Sequence, residues 1–172
     1  LYTRWLQYGV FQPIYRTHAQ EAVPAEPIFW DNETKDIVRE FIKLRYSLLP
    51  YNYSLLFHHS QTGIPMMRPL FYEEDNLDLF NKTDSYLWGD AFLVSPVVEK
   101  GLKKQYVYLP KNHFWFDLWK ANVYSGGKTI RYRLKPETIP VFVKAGSFVP
   151  MIAPIQHTGL YNTNELDIHY YY

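Results

Sequence analysis

Val10-Phe11-Gln12-Pro13-Ile14-Tyr15-Arg16-Thr17-His18 is a short apolar run that ends in an arginine and a histidine. Val10, Phe11, Ile14 and Tyr15 are β-branched or aromatic, so the run reads as one buried strand rather than as a helix. A strand that is apolar along its length is covered on both faces, as in a parallel sheet flanked by helices. Polar residues at the C-terminal end of such a strand stand where α/β barrels carry their chemistry. Arg16 and His18 are therefore the candidate site residues.

On the N-terminal side, Leu1, Tyr2, Trp5 and Leu6 recur at helical spacing, and Gly9 supplies a stop. On the other side, Ala19 to Trp30 reads as a loop, with Pro24 and Pro27 and the acids Glu21 and Glu26, placed to shape a pocket. Asp31 or Asn32 can cap the long helix that follows, and Glu33 and Asp36 suit its positive end. Ile37, Phe41, Leu44, Leu48 and Leu55 form one apolar stripe as far as Phe57. The stripe keeps its phase across Pro50, so the spacing predicts one kinked helix, ended by Gln61-Thr62-Gly63.

From Met66 onward the period changes. Strands are predicted at residues 92–94, 105–109, 115–119, 129–134, 141–143, 148–151 and 166–172, with turns at Gly101, Pro110-Lys111-Asn112, Ser125-Gly126-Gly127, Pro136 and Ala145-Gly146. Ile130, Tyr132 and Leu134 share one face of a half-exposed antiparallel strand.

The two halves obey different rules. The expected fold is an α+β fragment: the last helix–strand–helix of a (β/α)8 TIM barrel over residues 1–65, then a proximal antiparallel β-sandwich over 66–154. Residues 155–172 would start a further β segment or distal domain. A lone barrel strand leaves its backbone unpaired, so a larger protein is expected around this chain. A first residue inside a helix without an initiator Met, and a last residue inside a strand, carry the same expectation.

The chain has 172 residues, a net charge of +1 and 47% hydrophobic residues, which gives no electrostatic reason to expect nucleic acid or an anionic membrane as partner. It contains no cysteine, so disulfides and thiolate metal sites are excluded, and no apolar run approaches the length of a membrane span. The sixteen Tyr, eleven Phe and five Trp suit either a β-rich core or stacking on sugars. His58 and His59 point about 100° apart on a helix, and His113, His157 and His169 lack ligand spacing, so no metal site and no cofactor is expected. Lys100, Lys103 and Lys104 read as a solvated turn, Gly126-Gly127 as a hairpin, and the triplets at Asn32, Asn52 and Asn81 as chance glycosylation patterns.

Arg4 to His18 resembles the stretch of glycoside hydrolase family 31 written R-W-x-Q-x-G-x-F-x-P-x-x-R-x-H, and Leu44-Arg45-Tyr46-Ser47-Leu48-Leu49-Pro50-Tyr51 is similar to that family's L-R-Y-x-L-L-P-Y helix. Arg68-Pro69-Leu70-Phe71, Trp88-Gly89-Asp90-Ala91-Phe92-Leu93-Val94-Ser95-Pro96-Val97 and Val107-Tyr108-Leu109-Pro110 follow in the family's order. The wording around residues 1–27 and 61–74 looks most like bacterial α-glucosidases and oligosaccharide 4-α-glucosyltransferases.

This resemblance implies a retaining enzyme in which one carboxylate attacks the anomeric carbon and a second protonates the leaving oxygen. The family's two catalytic aspartates sit in motifs absent from this chain, so no catalytic residue is assigned. His18 would line the subsite of the non-reducing sugar. Arg16 would either orient a neighbouring carboxylate or hold the barrel rim. Trp88, Trp115 and Trp119 would lie in the sandwich core or at its seam with the barrel.

The implied partners are an α-linked oligosaccharide and the remainder of the same enzyme, with the periplasm, the cell surface or the medium of a bacterium as the implied location. The chain itself is expected to be inactive. The alternatives are an α-transglucosylase or an α-xylosidase of the same family, a carbohydrate-binding β-sandwich with surface aromatics in a row, and a purely structural interaction domain.

Overall fold

The computed structural model describes residues 1–172. Helix α1 spans Tyr2–Gly9, α2 Asn32–Ser47 and α3 Leu49–Thr62. Asp31 caps α2, its carboxylate accepting from the backbone N–H of Thr34 at 2.8 Å, and Gly63 ends α3 at φ 74°. The single kinked helix expected over this stretch is divided instead at Leu48, with Pro50 in the first turn of α3. A proline there costs little, because the first N–H groups of a helix have no partner anyway. The stripe nevertheless survives the break, and Phe41, Leu48 and Leu55 are all buried.

Strands β1 (Met67–Arg68), β2 (Tyr86–Trp88), β3 (Phe92–Val94), β8 (Val141–Lys144), β5 (Phe114–Asp117) and β6 (Val123–Ser125) make one antiparallel sheet in that order. Two ribbons accompany it, β4 (Lys104–Leu109) with β7 (Lys128–Arg133), and β9 (Ser147–Met151) with β10 (Asp167–Tyr171). The β4–β7 ribbon turns Val107, Leu109 and Tyr132 inward, and Tyr132 meets Phe142 of β8 edge to face at 5.8 Å. Tyr132 and Leu134 are buried and Ile130 is half-buried, as their alternation predicts, while Arg131 and Arg133 face out. Strands β1, β2 and β6, of two or three residues each, escape sequence reading. The strand predicted over 115–119 stops at Asp117, whose carboxylate takes the backbone N–H groups of Trp119 and Lys120 and forms a turn.

Val10–His18 does not pair as the expected strand. Val10 and Phe11 close α1 in a turn and are fully buried, and residues 14–20 join no ladder. A parallel barrel strand draws its hydrogen bonds from strands of other βα units, and this chain contains none.

Aromatic hydrogen bonds lock the helices to the sheet. Trp88 is fully buried and its indole N–H donates to Asn52 Oδ1 at 2.9 Å, while Tyr51 donates to Trp88 O and accepts from Ala91 N. Asn52 is thereby committed inside the fold, which removes its triplet as a glycosylation site. Gly89 has φ 63°, and a Cβ there would lie 2.4 Å from the Tyr51 hydroxyl, so only glycine fits under α3. Trp119 packs on Phe41 of α2 and donates to Ile139 O, placing it at the seam between the helices and the sheets.

Glu74 ties the loop before β2 to the end of β4. Its carboxylate accepts from Tyr108 Oη at 2.8 Å, Lys111 N at 2.9 Å and Asn76 Nδ2 at 3.1 Å. Burial pushes this carboxyl up, but the hydrogen bonds outweigh it and hold the group below its ordinary value. A lowered folded-state value stabilises the fold at neutral pH and withdraws that support as acid protonates the group. Melting temperature is therefore expected to fall as pH drops below the ordinary glutamate range of about 4.3, and less steeply in Glu74→Gln. Equal acid slopes for both proteins would assign the sensitivity to other groups.

Candidate functional site

The segment carrying Arg16 and His18 leaves α1 through a tight turn. A Cβ on Gly9 would lie 2.7 Å from the ring of Tyr15, so the absence of a side chain lets that ring fold back onto the helix end. From Tyr15 to Gln20 the residues alternate half-buried and exposed, the period of an extended chain. Arg16 and His18 consequently share the exposed face, and Arg16 Nη2 lies 3.2 Å from His18 Nδ1. A guanidinium can only donate, so Nδ1 of His18 accepts and Nε2 carries the proton. The pair thus presents an outward N–H donor beside a fixed positive charge.

The preceding turn is held by side chains. Arg45 of α2 donates to Val10 O at 2.7 Å, Gln12 O at 2.6 Å and Pro13 O at 3.1 Å, and Tyr86 of β2 donates to Phe11 O at 2.7 Å. The loop beyond is fastened by Tyr2, which stacks on Trp30 at 4.4 Å and donates to Ala25 O. Ile28 and Phe29 remain largely exposed on that loop, as does Ile14 on the segment itself. On the opposite side of α1, Arg4 donates to Thr138 O at 2.7 Å and Lys135 O at 2.8 Å, and Gln7 donates to Pro136 O at 2.7 Å.

The carboxylates with identified partners are engaged elsewhere. Asp31 caps α2, Asp36 pairs with Arg39, Asp90 with Arg68, and Asp117 makes the turn after β5. Glu73 takes His113 at 2.9 Å and Lys144 at 2.8 Å. None of them shares the Tyr15–Gln20 segment. Trp88 and Trp115 are wholly buried, and Trp119 is half-buried at the seam, where the resemblance puts them. Phe148, Tyr170 and Tyr172 do form an exposed row on the β9–β10 ribbon, but Phe148 and Tyr170 stack on each other at 4.4 Å and cover each other's facing surfaces.

Sequence reading did not assign roles to Arg45 or Tyr86. Arg45 had a signal, since it stands four residues after Phe41 and three before Leu48, on the buried face of the stripe. Tyr86 had none.

Comparison with known proteins bears on both halves. Residues 1–55 match the family model of the glycosyl hydrolases family 31 TIM-barrel domain, and residues 63–149 that of the glycosyl hydrolase family 31 C-terminal domain. Among curated relatives, the neutral alpha-glucosidase C of Macaca fascicularis is 41% identical over 154 residues, covering 88% of this chain and 20% of that protein. The 1,6-alpha-glucosyltransferase of Sporosarcina globispora is 32% identical over 173 residues, covering 98% of this chain and 13% of that protein. The family 31 dextranase of Flavobacterium johnsoniae, solved in complex with glucose, superposes with a TM-score of 0.86 at 38% identity over 90% of this chain and 19% of that one. The chain thus spans about a fifth or less of the length of these proteins.

Proposed function

Since this chain belongs to glycosyl hydrolase family 31, we propose that it serves an enzyme hydrolysing α-glucosidic bonds of oligosaccharides. Within a longer polypeptide, residues 1–65 would complete the catalytic barrel and residues 66–154 would form the β-domain behind it. Residues 155–172 would lead into a further β segment. The nucleophile and the acid/base aspartates come from elsewhere in that polypeptide, about 5–5.5 Å apart as retention requires.

The observation that carries the site reading is the Arg16–His18 pair, exposed on an unladdered segment between α1 and α2. Its Nε2–H is suited to donate to a hydroxyl oxygen of the non-reducing sugar, while Arg16 fixes the tautomer and the ring plane. Their work is to hold the sugar against carboxylates supplied from outside this chain. The match to a 1,6-alpha-glucosyltransferase along nearly the whole chain supports a second reading, in which another sugar resolves the glycosyl-enzyme in place of water.

The test is turnover of maltose and an aryl α-glucoside, with intact mass recorded. The 172-residue chain is expected to show none, and the longer polypeptide to release glucose. Formation of longer saccharides alongside the glucose that leaves maltose would favour transfer. Turnover by the 172-residue chain above a mock purification would mean that its own carboxylates do the chemistry, and would overturn the assignment.

A further inference from the structure

Four consecutive carbonyls, those of Val10, Phe11, Gln12 and Pro13, are each taken by a side chain from another element. Three go to Arg45 on α2 and one to Tyr86 on β2. We infer that Arg45 and Tyr86 are positioning residues for the sugar-contact segment, so that the β-domain itself helps to set the substrate subsite. This rests on the reading of His18 given above.

The argument follows from where the backbone finds its partners. Residues 14–20 have no ladder within the chain, so the anchors that this chain itself supplies near Arg16 and His18 are those on the turn that precedes them. A guanidinium presents donors in a rigid planar fork, and Arg45 spreads that fork over carbonyls two and three residues apart in sequence. Lysine has the same charge but carries its donors on one atom, without the second arm by which Nη2 reaches Pro13 O. Tyr86 contributes a single hydroxyl, but from a rigid base, since β2 lies between β1 and β3 in the six-stranded sheet. Its ring also meets Tyr8 of α1 edge to face at 5.9 Å. The turn is thus referenced to a barrel helix on one side and to the β-sheet on the other. Misplacement of a contact group by about 1 Å can lower rates on the order of a hundredfold.

The test is a double-mutant cycle in the longer polypeptide, read as kcat/KM for an aryl α-glucoside. Tyr86→Phe removes one oxygen and is expected to lower kcat/KM about tenfold; Arg45→Lys is expected to do the same or more. In a His18→Ala background both effects should shrink below about twofold, because residues that act through a common group are not additive. Undiminished losses in the His18→Ala background, or losses of melting temperature alone with normal kcat/KM, would make both residues structural and overturn the inference while leaving the site reading intact. A His18→Ala enzyme with unchanged kcat/KM would overturn the site reading, and this inference with it.

Discussion

Trp88→Ala is expected to cost about 4 kcal/mol of folding stability, measured as a shift in the urea midpoint at unchanged slope. Trp88 has no exposed surface, so truncation opens a cavity beneath α3 that rigid neighbours cannot fill. Tyr51 and Phe92, in edge-to-face contact at 5.1 Å, belong to those neighbours, and Tyr51 reaches the Trp88 carbonyl. The change also orphans Asn52, which is buried and whose Oδ1 accepts from the indole N–H. Against a typical total of about 5–15 kcal/mol, the loss leaves a marginal domain. Trp88→Phe, which keeps most of the ring but not the donor, should lie between Trp88→Ala and the parent. Near-parent stability of Trp88→Ala would mean that α3 collapses onto the sheet, contrary to the packing described.

His18→Ala is expected to act in the opposite way, lowering kcat/KM of the longer polypeptide about 30-fold while leaving its melting temperature nearly unchanged. The fold-change corresponds to about 2 kcal/mol, the loss of a well-placed hydrogen bond in a substrate-filled site. Stability should be spared because His18 is exposed and its polar contact within the chain is with Arg16, itself exposed. His18→Gln retains a donor and should recover part of the rate. A large drop in melting temperature with normal kinetics would show that His18 is part of the framework.

Capping, periodicity and turn chemistry alone determined a great deal of this protein. A cap at Asp31 or Asn32, which the fold places at Asp31, Gly63 as a stop, the stripe through Phe41, Leu48 and Leu55, and the alternation from Ile130 to Leu134 all follow from local rules and all hold in the fold. The ordered motifs from Arg4 to Pro110 carried the family. The helix break at Leu48 escapes these rules, because a stripe in phase does not reveal whether the backbone bonds beneath it are continuous.

Tertiary structure alone decided how the Val10–His18 run is held. Its residue types are those of a parallel strand, but such a strand exists only when neighbouring strands supply its hydrogen bonds. Here its first carbonyls find Arg45 and Tyr86, one 35 residues and the other 75 residues from its bonded carbonyl. A periodic pattern records which face of an element is buried; it does not record which distant side chain meets an orphaned carbonyl.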